Sequence, residues 1–195
     1  MVKVVVTGAK GFIGQHLCRA LKARGDVELT EVVRSTPQAE LMDACREADA
    51  IFHLAGVNRS DKDVDFWQGN YALTVQIVDY LKHSKRHYEG ETPFLYLASS
   101  TKTQRRNNEM DAYSLSKLAA ENYVQLNSAG TYCAQIGVLP HVFGPGARPF
   151  YNSVIATWCH QLANGLPARV TDGEETLSYE LIHVDHVVSN AIEAM

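Results

Sequence analysis

The sequence predicts an α/β fold, namely a doubly wound parallel sheet with helices on both faces. Short apolar runs rich in β-branched residues alternate with amphipathic stretches, and this alternation is typical of βαβ units, whose crossovers make neighbouring strands parallel. The 195 residues, 46% of them hydrophobic and 21% charged, are enough to bury one substantial core. Because the sequence has no internal repeat and no long linker, residues 1–195 are expected to form a single domain.

The predicted elements follow in order along the chain. The apolar run "KVVV" predicts a first strand at residues 3–6, and helical spacing of apolar residues predicts a helix at 11–24. Further strands are predicted at residues 27–33, 50–55, 93–100 and 133–140, and further helices at 37–48, 64–85, 112–126 and 152–163. A last helix begins within "HVDHVV".

Composition excludes several classes of protein. The net charge of −4 and the absence of a basic cluster argue against a nucleic-acid partner. The first apolar run is too short for a signal peptide or a membrane span, so a cytoplasmic protein without a membrane partner is expected. The four cysteines are scattered and form no C-x-x-C pair, which favours reduced thiols in the core over disulfides or zinc.

Three glycines at intervals of three follow the first strand in "TGAKGFIGQHL". At a strand-to-helix turn, Gly8 permits the tight turn, Gly11 lets the backbone approach a pyrophosphate, and Gly14 lets the helix pack closely. The helix N-terminus offers N–H groups and partial positive charge to phosphates. The motif therefore predicts a Rossmann fold whose dinucleotide contacts include the intervening Lys10, Phe12 and Ile13; the alternative is a glycine-rich turn without a ligand.

The end of the second strand indicates which dinucleotide is bound. An NAD enzyme usually has an acidic residue there to bond the ribose 2′-hydroxyl. Here Val33 takes that place in "EVVRST" and Arg34 follows. Arg34 is suited to a 2′-phosphate, which favours NADP(H) and leaves NAD(H) possible; the alternative is that Arg34 is a surface charge.

The spacing of the second and third strands predicts a shorter sheet than usual. Only seventeen residues separate Val33 from Ile51. This is room for one crossover helix but not for another strand. The sheet is therefore expected to be one strand short on the adenine side, with a shallow adenine pocket.

Catalytic candidates lie in "LASSTKTQRRNNEMDAYSLSK". Tyr113 and Lys117 are four residues apart in a predicted helix and so share a face. A free phenol has a pKa of roughly 10, and a nearby ammonium lowers it toward neutrality. Tyr113 is thus predicted to donate a proton to a carbonyl oxygen that Ser100, at the end of the preceding strand, also bonds. The alternative is a pair that arose by chance.

The histidines of the sequence are not expected to form a metal site. His183 and His186 flank Asp185, but the stretch passes from a strand into a helix, so the side chains need not converge. His53 lies inside an apolar strand and is expected to be a core histidine.

The motifs "TGAKGFIG", "HLAG", "LASS", "YSLSK", "PHVFGPG" and "LIHVDHVV" resemble the extended short-chain dehydrogenase/reductase family of nucleotide-sugar epimerases, dehydratases and reductases. "FHLAGVNR", "FWQGN" and "YNSVIATWCHQLANG" are similar to a narrower group, the capsular-polysaccharide reductases of UDP-N-acetyl-L-fucosamine synthesis. That resemblance implies NADPH-dependent reduction of the C4 ketone of a UDP-linked 2-acetamido-2,6-dideoxy-4-hexulose. It also implies a homodimer formed through helices 64–85 and 112–126.

The resemblance also implies roles for individual residues. Ser100, Tyr113 and Lys117 correspond to the catalytic set, and Gly8, Gly11, Gly14 and Arg34 to the coenzyme phosphate contacts. The remaining coenzyme contacts implied are Leu54, Ala55, Gly56, Pro140 and Val142, and the implied contacts to a UDP-sugar substrate are Asn58, Arg59, His141, Arg148, Asn152 and Ser153.

Three features depart from the narrower group's pattern. His141 stands where the family commonly has Asn, and segment 101–112 is more basic than the usual short turn. The sequence ends at Met195, so the substrate lobe at about 141–182 is expected to be small and incomplete and the group's C-terminal cupin domain absent.

The sequence thus predicts an NADP-dependent UDP-4-keto-sugar reductase. One alternative is a nucleotide-sugar epimerase or dehydratase that retains NAD; Thr101 and Lys102, where dehydratases often have an Asp-Glu pair, disfavour elimination. An alternative of another class is a non-catalytic sensing or interaction module that binds a dinucleotide.

Overall fold

Five parallel strands form the central sheet of the computed structural model, which describes residues 1–104, 110–168 and 180–195. The strands are β1 (Val2–Thr7), β2 (Val27–Val32), β3 (Ala50–His53), β4 (Phe94–Ser100) and β5 (Cys133–Leu139). They lie in the order β2-β1-β3-β4-β5, and every neighbouring pair is parallel. The predicted doubly wound fold is confirmed.

Helices cover both faces of this sheet. They are α1 (Phe12–Arg24), α2 (Gln38–Glu47), α3 (Asp63–Phe66), α4 (Leu73–Lys82), α5 (Lys85–Tyr88), α6 (Ala112–Ser128), α7 (Val154–Ala163) and α8 (Val184–Glu193). A second sheet pairs β6 (His141–Phe143) with β7 (Leu181–His183) in parallel. The strand expected to lead into the last helix corresponds to β7, whereas β6 was not predicted, because three residues are too few to show a period.

Alternate residues of the buried strands feed two hydrophobic clusters. On one face, Val4 and Val6 of β1 join apolar residues of α1 and α8. On the other face, Val5 joins apolar residues of α2, α4 and α6. The sheet is therefore covered from both sides, and the carboxyl ends of β1, β3 and β4 meet at one rim, where open α/β sheets bind ligands.

The crossover from β2 to β3 has the length that the sequence predicts. Among the described residues, α2 is the only helix between these strands, and β2 forms the end of the sheet. A short 3₁₀ turn, Thr101–Gln104, follows β4.

The helix predicted at residues 64–85 is in fact composite. Between α3 and α4 the residues Trp67–Ala72 form a π-helical turn, in which the Leu73 N–H donates to the Gln68 carbonyl. Gly69 packs directly on Val57, since a Cβ added there would lie 2.5 Å from a Val57 methyl carbon. The α4 helix ends at Lys82, three residues earlier than expected.

The prediction that the cysteines lie in the core holds for two of the four. All four are free; Cys18 and Cys45 are buried, whereas Cys133 and Cys159 are exposed. Cys133 begins the edge strand β5, and Cys159 lies on α7, which buries none of its residues. Within the described chain, no helix combines the length and the apolarity that crossing a bilayer requires.

Candidate active site

The glycine turn between β1 and α1 is built for close backbone approach. Gly8 has φ +70°, and a Cβ added to it would lie 2.8 Å from the Ala55 nitrogen. A Cβ at Gly14 would lie only 2.2 Å from the Gly8 carbonyl oxygen. The turn therefore packs closely against the loop after β3 and against the start of α1. Neither Gly8 nor Gly14 has room for a side chain.

The first turn of α1 is open to an anion. Gly11 is the N-cap, no side chain caps the helix, and the first turn has no acidic residue. The N–H groups of such a turn lack intrahelical partners and carry partial positive charge. This cradle fits the diphosphate of a dinucleotide. Lys10 beside it is exposed, whereas Phe12 and Ile13 pack against the core.

The loop after β3 forms the second wall of the site. The Ala55 N–H donates to the Thr7 hydroxyl over 3.2 Å, and the Leu54 N–H donates to the Thr7 carbonyl. A Cβ added at Gly56 would lie 2.6 Å from Asn70 Oδ1 and 3.3 Å from Lys117 Nζ. Predicted coenzyme residues and the predicted catalytic lysine therefore converge at Gly56.

A buried hydrogen-bond chain runs beneath this loop through His53. Nδ1 of His53 lies 2.7 Å from the Thr7 hydroxyl, and Nε2 lies 3.0 Å from the Thr74 hydroxyl. The Thr74 hydroxyl donates its single proton to the Asn70 carbonyl. The Nε2–H of His53 therefore donates to Thr74, and Nδ1 accepts from Thr7. Burial, and secondarily Lys117, lowers the pKa of His53 to about 3. His53 is thus the neutral core histidine that the sequence predicts.

Asn70, in the π-helical turn, is a site residue that sequence reasoning missed. It is 1% exposed, its Oδ1 accepts from the Val57 N–H, and its Nδ2 donates to the Val57 carbonyl and to Ser116 Oγ. The side chain thereby ties the loop after β3 to α6. A glycine at position 69, inside a predicted helix, was the available signal, because glycine there often marks close backbone contact.

The predicted catalytic residues Ser100 and Tyr113 are brought together, since the Ser100 hydroxyl lies near enough to the phenol of Tyr113 to lower its pKa. Ser100 ends β4, and Tyr113 lies in the first turn of α6. Asp111 caps that turn by accepting hydrogen bonds from the N–H and the hydroxyl of Ser114, at 2.8 and 2.7 Å. The cap fixes where α6 begins and therefore where the phenol lies.

Lys117 is fully buried one turn further along α6. Its Nζ donates to the Ala98 carbonyl at 2.9 Å. Burial lowers the pKa of Lys117 to about 8, and the charge of Glu121 partly opposes this. Glu121 also accepts a short hydrogen bond from Ser99, so an acidic residue absent from the sequence prediction supports this ammonium.

The electrostatics of Tyr113 differ from the expectation. Burial raises the pKa of Tyr113 above its ordinary value, with a smaller contribution in the same direction from Asp111, whereas the Ser100 hydrogen bond lowers it. Lys117 is not among the groups that shift it. A second cation lies near the ring, because Lys102 Nζ is 5.4 Å from its centroid.

Arg34 and Arg59 line one open cavity of about 530 Å³ near the end of β2. Val57 and Leu73 contribute apolar wall, and Gln76 contributes an amide. The volume lies within the range of small-molecule sites. The sequence assigned these two arginines to different ligands, so their shared cavity is a new observation.

Tyr151 organises the predicted substrate residues of two distant loops. Its hydroxyl donates to Asn58 Oδ1 at 3.0 Å. The guanidinium carbon of Arg59 lies 5.9 Å from the ring centroid and that of Arg148 lies 5.5 Å from it. Tyr151 was missed because this contact spans 93 residues of sequence.

The other predicted residues lie on the segment that follows β5. Pro140 and Val142 are partly buried, and Val142 packs against the core cluster next to α1. Ser153 is the N-cap of α7 and accepts from the Ala156 N–H, so its hydroxyl has a structural task. His141 and Asn152 are exposed. Part of the predicted substrate lobe, residues 169–179, and part of the basic segment, residues 105–109, lie outside the described residues.

His183 is the N-cap of the C-terminal helix α8. His183 Nδ1 accepts from the Asp185 N–H at the start of α8, and the His183 and His186 rings stand 6.4 Å apart, edge to face. Across the ranges that the structure describes, no group of three or more His, Cys, Asp or Glu residues is placed to hold a metal ion.

Comparison with known proteins identifies the family to which the chain belongs. Residues 4–195 match the family described as "NAD dependent epimerase/dehydratase family". The chain is 36% identical, over all of its 195 residues, to the UDP-2-acetamido-2,6-beta-L-arabino-hexul-4-ose reductase of Pseudomonas aeruginosa, and covers 50% of that protein.

Solved structures agree in fold. The capsular polysaccharide assembling protein CapF of Staphylococcus aureus matches with TM-score 0.77 and 30% identity, over 99% of this chain and 48% of that one. UDP-glucuronic acid 4-epimerase of Bacillus cereus, in complex with UDP-glucuronic acid and NAD, matches with TM-score 0.82 and 18% identity, over 99% and 73%. The chain thus spans about half the length of the first two relatives.

Proposed function

Since the chain belongs to the NAD-dependent epimerase/dehydratase family, we propose that it is an NADP-dependent reductase of a UDP-linked 4-keto-6-deoxy amino sugar. The product is the C4 alcohol, an intermediate for a bacterial surface polysaccharide. The printed activity of the Pseudomonas aeruginosa relative supports this substrate class. Residues 1–195 act as one coenzyme-binding domain, to which residues 141–182 contribute the substrate lobe.

One observation carries the proposal: the Ser100 hydroxyl lies beside the phenol of Tyr113, in a site that also holds the buried Lys117. The three side chains lie at the carboxyl end of β4 and the start of α6, beside the loop after β3. A carbonyl oxygen that enters beside Ser100 and Tyr113 meets two hydroxyl groups that can both donate to it.

The glycine turn and its surroundings are suited to the coenzyme. The backbone at Gly8, Lys10, Gly11 and Gly14 holds the diphosphate, and Arg34 holds the 2′-phosphate. Leu54, Ala55 and Gly56 support the coenzyme along the loop after β3, with Phe12, Ile13, Pro140 and Val142 as neighbours. When bound, NADPH supplies the hydride for the carbonyl carbon.

Residues of the chain supply the proton that the carbonyl oxygen receives. Tyr113 donates its phenolic proton to the carbonyl oxygen, while Ser100 orients that oxygen by a second hydrogen bond. A buried phenol resists ionisation, which keeps it protonated and ready to donate at neutral pH. Lys117, with its pKa near 8, is poised to exchange protons at neutral pH.

The substrate's diphosphate is assigned to Arg148, together with Asn58, Asn152 and Ser153 on the same two loops and His141 at the start of β6. Guanidinium groups suit phosphates because they donate two parallel hydrogen bonds. The Tyr151 contacts described above support this assignment, because they bring Arg148 to the loop after β3.

Oxidation of NADPH by the sugar substrate is the reaction that tests the proposal. Purified protein is mixed with NADPH and a UDP-linked 4-keto-6-deoxy amino sugar, and NADPH absorbance is followed. We expect turnover that Tyr113→Phe lowers by roughly 10²–10⁴-fold. Tyr123→Phe is the matched control, because that phenol lies on the same helix but bonds Asp79 instead.

The outcomes separate the alternatives. Isomerised sugar without net NADPH consumption, together with tightly held NAD, identifies an epimerase. NADPH binding without turnover of any UDP-4-keto sugar identifies a sensing module. Equal rates for wild type and Tyr113→Phe refute the assignment of the acid.

We also infer a homodimer through α3, α4 and α6. Val64 on α3, Trp67 in the π-helical turn before α4 and Leu115 on α6 are 52%, 39% and 39% exposed, and exposed large apolar side chains favour association. Sedimentation equilibrium of Leu115→Glu against wild type tests this, with monomeric variant and dimeric wild type expected. A cytoplasmic location is proposed too, and the free thiols support it because oxidising compartments promote disulfides.

A further inference from the structure

Arg59 shares its surroundings with Arg34, the residue proposed to bind the coenzyme. Both arginines line the open cavity at the end of β2. The wall between them is mixed: Val57 and Leu73 offer apolar surface for a purine ring, and Gln76 offers hydrogen bonds. The cavity therefore has apolar and amide groups suited to an adenosine, and two cations among its lining residues.

Neither arginine is neutralised by the protein. Within the described residues, neither Arg34 nor Arg59 forms an ion pair, whereas Arg24 and Arg86 do. Asp65 is the one acidic residue in the cavity wall of the described chain, and its carboxylate accepts a hydrogen bond from Ser60. Two guanidinium groups facing one cavity repel each other, and a bound dianion relieves that repulsion.

Tyr151 restricts where the Arg59 side chain can go. The ring lies 5.9 Å from its guanidinium carbon, and the Tyr151 hydroxyl is fixed by Asn58, the residue before Arg59. A cation held on an aromatic face loses less freedom when it binds an anion. Arg59 is therefore partly pre-arranged at the cavity.

We infer that Arg59 and Arg34 together bind the 2′-phosphate of NADP, so that Arg59 determines coenzyme specificity rather than contacting the sugar nucleotide. The inference rests on the proposed function, because it requires a dinucleotide across the glycine turn. Two guanidinium groups match the charge and the acceptor oxygens of a phosphate monoester.

Direct binding measurements test it without catalysis. Dissociation constants for NADPH and NADH are measured by calorimetry for wild type, Arg34→Gln, Arg59→Gln and Arg148→Gln. We expect Arg59→Gln to weaken NADPH about tenfold or more, equivalent to about 1.4 kcal/mol, and to leave NADH within about twofold. Arg148→Gln is the matched control, since it also loses a contact with Tyr151 but does not line the cavity.

Several results would overturn the inference. An equal loss of NADPH and NADH affinity in Arg59→Gln refutes a 2′-phosphate contact, and so does unchanged NADPH affinity. Wild-type protein that binds both coenzymes equally refutes it while leaving dinucleotide binding intact. Wild-type protein that binds neither refutes the proposed function as well, so the two failures are distinguishable.

Discussion

The Thr7 hydroxyl donates a hydrogen bond to Nδ1 of His53 over 2.7 Å, and both residues are 1% exposed. This bond joins β1, which leads into the glycine turn, to β3, which leads into the opposite wall of the site. Because Thr7 also accepts from the Ala55 N–H, one hydroxyl fixes both walls. The bond between Thr7 and His53 is made by the neutral ring, since protonation of Nδ1 would remove the acceptor of the Thr7 proton.

The first prediction concerns stability in acid. The pKa of His53 is about 3 in the folded protein against an ordinary 6.5, so between these values the unfolded chain binds more protons than the folded one. The free energy of unfolding should therefore fall as pH drops from about 6.5. Urea unfolding at about pH 7 and about pH 5 should show a smaller fall in His53→Gln than in wild type.

The control for this prediction is His186→Gln, because His186 is exposed on α8. It should keep the acid sensitivity of wild type. Parallel curves for wild type and His53→Gln would contradict the assigned pKa.

The second prediction concerns Lys117 in alkali. Its pKa is lowered from 10.5 to about 8, so between these values the unfolded chain again binds more protons. Stability contributed by this group should rise as pH increases through this window. Lys117→Met should remove that rise while abolishing NADPH-dependent reduction, and unfolding midpoints across the window measure it.

Lys62→Met provides the comparison, since Lys62 is exposed. A rise in stability that persists unchanged in Lys117→Met would show that other groups cause it.

The third prediction separates the two effects of Asp111. Its carboxylate caps α6 and also raises the pKa of Tyr113. Asp111→Asn keeps a capping oxygen but removes the charge, so the alkaline limb of the kcat profile should move to lower pH. Asp111→Ala should lose the cap as well, at a cost of about 0.5–2 kcal/mol in unfolding free energy. If the alkaline limb of the kcat profile lies at the same pH in Asp111→Asn as in wild type, the charge of Asp111 does not affect the pKa of Tyr113.

The fourth prediction distinguishes two glycines of the same motif. A Cβ at Gly14 would lie 2.2 Å from a backbone oxygen, whereas one at Gly11 would lie 3.1 Å from it and point toward an exposed surface. Gly14→Ala should destabilise the fold by about 1–3 kcal/mol through overpacking. Gly11→Ala should fold nearly normally and bind NADPH more weakly.

Thermal unfolding and NADPH titration of both variants check this. A Gly11→Ala protein with wild-type affinity would mean that the diphosphate does not approach that backbone.

The strands, the main helices and the glycine turn were predictable because each leaves a local pattern in the sequence. The buried amide of Asn70 and the aromatic contacts of Tyr151 were not predictable, since both depend on partners many residues away. The pKa of Tyr113 was expected to fall because only its distance to Lys117 along the helix was considered. Burial of the phenol decides its direction instead, and burial is a property of the assembled fold.

The outer strand β2 has a consequence for the behaviour of the protein in concentrated solution. Its sequence, VELTEV, places Glu28 and Glu31 at the end of the sheet, and Glu31 pairs with Lys22 of α1. An unpaired strand edge is a template on which another chain can add and begin fibril growth, and charged side chains there oppose that addition. The carboxylates along β2 therefore oppose aggregation at this edge of the sheet, which is one of the two edges of the order β2-β1-β3-β4-β5.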